Sequence, residues 1–376
     1  MSLHTVARLA GVSASTVSRV INQHPNVAAD TVESVRRAMR ELSFTPVMRR
    51  SSVRNRAQFV NKAGSFAFIV FGTSGSQPTA AFEELLRGVS DQSSKHNINL
   101  IFGFVSDPAQ LPPRIAERRV DGLLLHGERP TGAVKSRLES LPTVWLMANP
   151  HRPAWGDQVM PDNSAIGAMA ARYLLQRGHR RLAYLGTRAS WSLELRSLAF
   201  AHAASEAGVH ADVLETPEPQ TGDFWQREGL DSAASVLASR LATLTQAPTG
   251  LFIAEDRLVP MVDAAMKALR AAHNGDGGSG NGGGNGNVYP HGAVDIISCN
   301  NERAHFNRLN FVPATIDIRA EAIGRLGVER LIWRLSNTDI PERIRCMVEP
   351  HLVEAEMNAQ HTQPALPLRS LDAEKY

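Results

Sequence analysis

The sequence predicts an α/β protein with a small all-α head and a larger body of doubly wound parallel sheet. Three observations carry this. Residues 1–45 space their apolar side chains at helical intervals. From Ser65 onward, short β-rich runs alternate with helix-length segments. Charge divides along the same line: residues 1–60 hold nine arginines, no lysine and three acids, a surplus of six positive charges. The remainder holds 31 basic and 34 acidic residues. A chain of 376 residues exceeds one ordinary core, so two or three domains are expected.

The head reads as three helices. Val6, Leu9 and Ala10 give the first a buried face, and Gly11 stops it. Ser13 is placed to cap the second, which buries Val17, Val20 and Ile21. Ala29 or Asp30 opens the third, where Val32, Val35, Met39 and Leu42 share one face. Pro46 ends it. Arg49, Arg50, Arg54 and Arg56 then make 46–63 a basic linker.

In the body, the strand runs are Phe66–Phe71, Ile98–Val105, Asp121–His126, Thr143–Met147, Arg181–Gly186, Gly250–Ala254 and Val294–Cys299. The helical segments between them include Ala80–His96, Ser164–Arg177, Leu193–Ala207 and Leu258–Ala272. Such alternation gives parallel strands with right-handed crossovers, in one large sheet or two smaller ones. The Gly-Asn stretch 274–287 is low-complexity and reads as a surface loop, and 357–376 as a disordered tail.

A second helix that enters a DNA major groove does so by its N-terminal end. Here its exposed face offers Ala14, Ser15, Thr16, Ser18 and Arg19. Small residues let the helix approach base edges, and Arg19 reaches far enough to bond guanine O6 and N7 together. Thr5, Ser13, Thr16, Ser18 and Asn22 are of the types that bond phosphates, contacts that set register without reading sequence. Taken alone, Arg19 reads first as an ordinary solvated helical arginine.

The run Leu3-His-Thr-Val-Ala-Arg-Leu-Ala-Gly-Val-Ser-Ala-Ser-Thr-Val-Ser-Arg-Val-Ile-Asn22 closely resembles the DNA-binding head of the LacI/GalR family of bacterial repressors. Val27-Ala-Ala-Asp-Thr31 and Leu42-Ser-Phe-Thr-Pro46 are similar to that family's third helix and its exit. The resemblance implies that Ala14, Ser15 and Arg19 read bases. It also implies a hinge helix whose leucine wedges into the minor groove, a device that kinks the duplex. This chain has Arg50-Ser-Ser-Val53 at that place. Val53, shorter and branched, is a poorer wedge, and Arg50 and its neighbours offer phosphate contacts in compensation. A modified hinge with less kinking is the expectation.

The pattern of 65–355 resembles the family's body, two subdomains like those of periplasmic sugar-binding proteins. By that resemblance the subdomains are expected at 64–160 plus 292–318 and at 161–291 plus 319–356, with Thr315-Ile-Asp317 as a crossover between them. Ligands in such folds sit beyond the carboxyl ends of strands, in the cleft. Ser74, Trp145, Trp191, Asp256 and Asn300 lie at or near predicted strand ends, beside Thr73, Met147, Ser190 and Asn301. Arg196 leads Arg196-Ser-Leu-Ala-Phe200, similar to the family segment whose arginine contacts the effector. Asp256 matches an aspartate that follows a strand. Asn300 stands where the family often has an aspartate that accepts sugar hydroxyls. An amide there loses the charge and adds a donor, which disfavours a plain neutral sugar and makes an anionic metabolite paired with Arg196 a candidate.

Enzymatic signatures are absent: there is no GxSxG, HExxH, GxxxxGK[ST] or strand-preceded GxGxxG. Cys299 and Cys346 form neither a disulfide framework nor a zinc spacing, and no motif calls for a cofactor or metal. No run approaches a membrane span and no leader is visible, so a cytoplasmic protein is expected. The expected partners are a double-stranded DNA operator, a sugar or related metabolite, and a second copy of the chain, because one head covers half of a palindromic site. The competing readings are a DNA-binding regulator controlled by a protein partner, and an enzyme or transport-type binding protein with a fortuitous basic head.

Overall fold

The computed structural model describes residues 3–21, 27–42, 64–72, 79–105, 107, 111, 120–130, 132–147, 155–187, 190–216, 227–244, 246–275, 294–307 and 309–355. The chain divides into two units, Met1–Arg54 and Asn55–Tyr376. The linker with Arg50 and Val53, most of the Gly-Asn stretch and the C-terminal tail lie outside the described residues.

The head holds α1 (Leu3–Leu9), α2 (Ala14–Ile21) and α3 (Ala29–Glu41). Gly11, at φ +63°, makes the turn out of α1 in a conformation that other residues adopt at a cost. The Ser13 hydroxyl accepts the Thr16 N–H at 3.1 Å and caps α2 as expected. Val6, Ala7, Val17, Val20, Val35 and Ala38 are buried together. Leu9 departs from expectation and is 45% exposed. The buried face of α1 runs through Val6, Ala7 and Ala10, and Leu9 falls off its edge.

Among the described residues the body contains two six-stranded sheets. The first joins β1 (Ser65–Phe71), β2 (Asn99–Val105), β3 (Gly122–Gly127), β4 (Thr143–Leu146), β5 (Asp157–Pro161) and β11 (Arg345–Val348). Its order is β11-β5-β4-β3-β1-β2, parallel throughout. The second joins β6 (Leu182–Gly186), β7 (Ala211–Glu215), β8 (Gly250–Ile253), β9 (Asp295–Cys299), β10 (Ala314–Asp317) and β12 (His351–Val353). Its order is β12-β10-β9-β8-β6-β7, with only β12 antiparallel.

Helices cover both faces of each sheet, so the strands are apolar on both sides. In β1, Phe66, Phe68 and Val70 join the core shared with α4 (Ala80–Lys95) and α10 (Ala320–Ser336). The alternate residues Ala67, Ile69 and Phe71 face the opposite cluster, with Val134 and Leu138 of α5 (Gly132–Leu138). The second sheet divides likewise. Tyr184 and Phe252 pack with α6 (Asn163–Gln176) and α7 (Trp191–Glu206). Leu185 and Ile253 pack with α8 (Arg227–Ala242) and α9 (Val259–Gly275). Helices α4 and α10 touch through glycines: a Cβ at Gly88 would overlap the Glu321 carbonyl, and one at Gly324 the Leu85 carbonyl.

This topology corrects the expected subdomain boundaries. Strands β9 and β10 continue the second sheet, β9 beside β8 with Gly250 opposite Asp295. Helix α10 packs on the first subdomain and β11 joins the first sheet. The first subdomain is therefore 64–161 plus 320–348, and the second 163–317 plus 351–353. A crossover does follow Thr315–Asp317, where Arg319 at φ +58° turns the chain, but it runs from the second subdomain to the first. The chain passes between the subdomains at three places, after Pro161, Asp317 and Val348.

Among the described residues, no helix is long and apolar enough to cross a membrane, and no group of three His, Cys, Asp or Glu could hold a metal.

Candidate functional site

Helix α2 owes its orientation to Val17 and Val20, which are buried against α1 and α3. Ser15 and Arg19, one turn apart, are exposed on the other side. Ser18 lies within α2. Ser13 bonds the hydroxyls of Ser15 at 2.7 Å and Thr16 at 2.8 Å, so the polar front of the helix is a linked hydroxyl set. Ala14, Thr16 and Thr5 are half-buried. Asn22 lies outside the described residues. The helix thus offers a small front, hydroxyl groups and one long cation, which suits a nucleic-acid groove.

In the body, both sheets reverse their winding beside one strand, β1 in the first and β6 in the second. Such switch points open a crevice at the carboxyl ends of the strands. Arg196, in the second turn of α7, is only 4% exposed there. Its Nε–H donates to Asn163 Oδ1 at 2.9 Å, and its Nη1 donates to the Ala254 carbonyl at 2.7 Å and to Asn300 Oδ1 at 3.3 Å. Asn163 opens α6 behind the Asp162 cap, whose Oδ1 accepts the Ala165 N–H at 2.9 Å. Asn300 and Asn301 end β9 at φ +110° and +59°. Backbone held in such sparsely populated regions concentrates at functional sites.

Asp256, fully buried after β8, is held at 2.8 Å by the Thr315 hydroxyl and at 2.6 Å by the Glu302 N–H. Burial dominates and pushes its carboxyl up to about 6, although the bonds from Ser298, Glu302 and Thr315 oppose this. Glu302 reaches from the end of β9 to the first subdomain, where its carboxylate accepts the Ala81 N–H at 3.1 Å. Burial resists its ionisation. The bonds from His305, the Ala81 N–H and Thr79 together outweigh that and hold the carboxyl below its usual range. Glu302 therefore caps α4 from across the two subdomains. Neighbouring Cys299 is a packed, inert thiol, pushed up to about 12 by burial.

The structure brings Arg196 and Asn300 together, and Asp256, after β8, is turned into its own network. Trp191 is half-buried as the first residue of α7, behind the Ser190 cap. Ser74 lies outside the described residues. Trp145 is corrected. It is 1% exposed and packs edge-on against Trp155, ring centroids 5.2 Å apart, in the cluster with α5. Period-two alternation sends Val144 and Leu146 to one face of β4 and Trp145 to the other, so its ring serves as core. Asn163, the Ala254 carbonyl and Glu302 were not anticipated. The strand that ends just before Asn163, Asp157–Pro161, was not among the predicted runs, so no signal pointed to it.

Each half of this body is a doubly wound sheet, and the second has a polar cluster at its strand ends, the architecture of periplasmic-binding-protein-like domains. Residues 171–274 match a periplasmic binding protein-like domain, and residues 2–47 match the bacterial regulatory proteins of the lacI family. The HTH-type transcriptional repressor PurR of Erwinia tasmaniensis is 30% identical over 263 residues, which cover 68% of this chain and 72% of that protein. The ribose operon repressor of Escherichia coli (strain K12) is 29% identical over 276 residues, covering 70% of this chain and 77% of that protein. Among solved structures, a transcriptional regulator CelR–cellobiose complex aligns over 95% of this chain and 99% of its own, with TM-score 0.57 and 22% identity. The lac repressor dimer bound to operator and the anti-inducer ONPF aligns over 94% and 98%, with TM-score 0.54 and 19% identity. At such identities the two structures carry the fold alone. The chain belongs to the LacI family of bacterial regulatory proteins.

Proposed function

We propose that this chain is a cytoplasmic, sequence-specific DNA-binding transcriptional repressor, a homodimer whose operator affinity is set by a sugar or sugar derivative bound between the body's subdomains. The observation that carries the reading is α2, which turns Ser15 and Arg19 outward while Val17 and Val20 lock it in place. Arg19 reads a base, and Ser13, Thr16, Ser18, Asn22 and Thr5 set register on the phosphates. Arg50 and Val53 form the hinge. The effector site centres on Arg196 and Asn300, supported by Asn163, with Asp256, Trp191 and Ser74 around it. The relatives' names, a ribose operon repressor and an HTH-type transcriptional repressor PurR, favour a small metabolite over a protein partner. They also favour a binder over an enzyme.

The homodimer has a candidate face on the edge strand β2. Phe104 there is 52% exposed and meets Phe102 edge-on, ring centroids 5.0 Å apart, with Phe82 beside both. An exposed aromatic group of this kind marks a protein contact. The reading is tested by anisotropy with labelled DNA. The full chain should prefer DNA from upstream of its own gene to random DNA at matched salt, and equal binding to both would reject it.

A further inference from the structure

The chemistry around Arg196 points to the charge of the ligand. The inference rests on the effector-site reading above. Arg196 is buried, yet its three acceptors, Asn163 Oδ1, the Ala254 carbonyl and Asn300 Oδ1, are all neutral. Among the described residues, no carboxylate lies within ion-pair distance of it. The acids that follow β8 and β9 are committed elsewhere. Asp256 serves Thr315 and the Glu302 N–H. Glu302 serves Ala81 and His305. Glu255 is held by Arg257 through Nε at 3.0 Å and Nη2 at 2.6 Å.

A buried charge is retained at a cost unless an opposite charge meets it. The neutral acceptors use Nε and Nη1, and Nη2 takes no part in those bonds. A guanidinium with an edge to spare is suited to an oxyanion, which it holds through charge-assisted bonds. Next in the chain, the buried Oδ1 of Asn301 has no hydrogen-bond donor. A buried acceptor of this kind wants an O–H.

We propose that the effector is a hydroxylated anion, a sugar acid or sugar phosphate, whose carboxylate or phosphate is held by Arg196. Asn300 is the specificity-determining residue: as a neutral amide, it leaves the guanidinium's charge for the ligand.

The test uses the full chain and Asn300→Asp, which supplies the missing counter-charge. Both are titrated with D-ribose, D-ribose 5-phosphate, D-glucose and D-gluconate at matched ionic strength, read by thermal shift and calorimetry. The proposal predicts saturable binding of a charged member at least tenfold tighter than its neutral parent, weakened at least tenfold by Asn300→Asp. The phosphate and carboxylate arms separate the two anion types. It also predicts that ligand-free Asn300→Asp melts above the wild type. Neutral sugar binding as tightly as its charged derivative would overturn the inference and leave the effector reading standing. No response to any compound would overturn both. Ligand-free Asn300→Asp melting below the wild type would overturn the inference alone, since it would show that Arg196 needs no counter-charge.

Discussion

Glu302 makes the most exacting prediction about how the body is held. It belongs to the second subdomain and is 2% exposed, yet its carboxylate caps α4 of the first subdomain at the Ala81 N–H. Glu302→Ala removes that bond and the one from Thr79, and it leaves the start of α4 short of an acceptor. A hydrogen bond to a charged group is worth about 1.5–3 kcal/mol, and the charge at a helix N-terminus adds up to about 1 kcal/mol. The His305 contact, at 3.6 Å with a third of the imidazole exposed, adds little. The expected loss is about 3 kcal/mol for Glu302→Ala. For Glu302→Gln, which keeps an acceptor but drops the charge, it is about 1 kcal/mol. Equilibrium urea unfolding at pH 7 measures both.

The sign with pH follows from the direction of the shift. The folded carboxyl titrates below its ordinary 4.5. Its contribution is therefore complete above about pH 4.5 and is lost as the pH falls through the folded value, so the gap between wild type and variant should narrow in acid. A Glu302→Ala protein as stable as wild type at pH 7, or a Glu302→Gln protein as impaired as the alanine variant, would refute the cap.

Other predictions concern the head, the buried aspartate and the dimer. Arg19→Ala should cost about 1–3 kcal/mol in operator binding and relax preference at one base, measured by anisotropy on a set of operator variants. Uniform weakening across all of them would remove Arg19 from base reading. Arg50→Ala should instead weaken every sequence alike and flatten the salt dependence. Asp256, raised from 3.8 to about 6 by burial, is favoured protonated in the folded state, so it lowers stability as the pH rises through that interval. The difference corresponds to about 3 kcal/mol. Unfolding at pH 4 and pH 7.5 should show Asp256→Asn gaining on the wild type by that order, and parallel curves would speak against it. Phe104→Glu should shift the chain toward monomer in sedimentation velocity, and an unchanged dimer would move the interface elsewhere.

The head was legible because its determinants are contiguous. One twenty-residue run contains the Gly11 turn, the Ser13 cap and the Val17–Val20 core face, and the structure realises each. Seven of the body's strands and four of its helices were legible from alternation, but β5, β7, β10, β11 and β12 were not, and neither was the grouping of the strands. Nothing local distinguishes β9 paired with β8 from β9 paired with a strand of the other sheet, because both neighbours are apolar runs. The turn at Arg319, which moves the chain across, leaves no apolar signature. The Arg196 cluster was half legible. Arg196 and Asn300 were identified by resemblance, but Asn163 and the Ala254 carbonyl, 33 and 58 residues from Arg196 along the chain, join them only through tertiary folding. Trp145 shows the limit of reading a strand end: proximity to the crevice does not say which face the side chain takes.

The central claim is that the head reads a specific DNA sequence and the body's ligand changes that reading. Selection of bound DNA from a random pool by the full chain, with and without D-ribose 5-phosphate and D-gluconate, tests it most directly. The account predicts an enriched two-fold-symmetric site whose recovery changes with one of these ligands. A pool that remains random in every condition would contradict it.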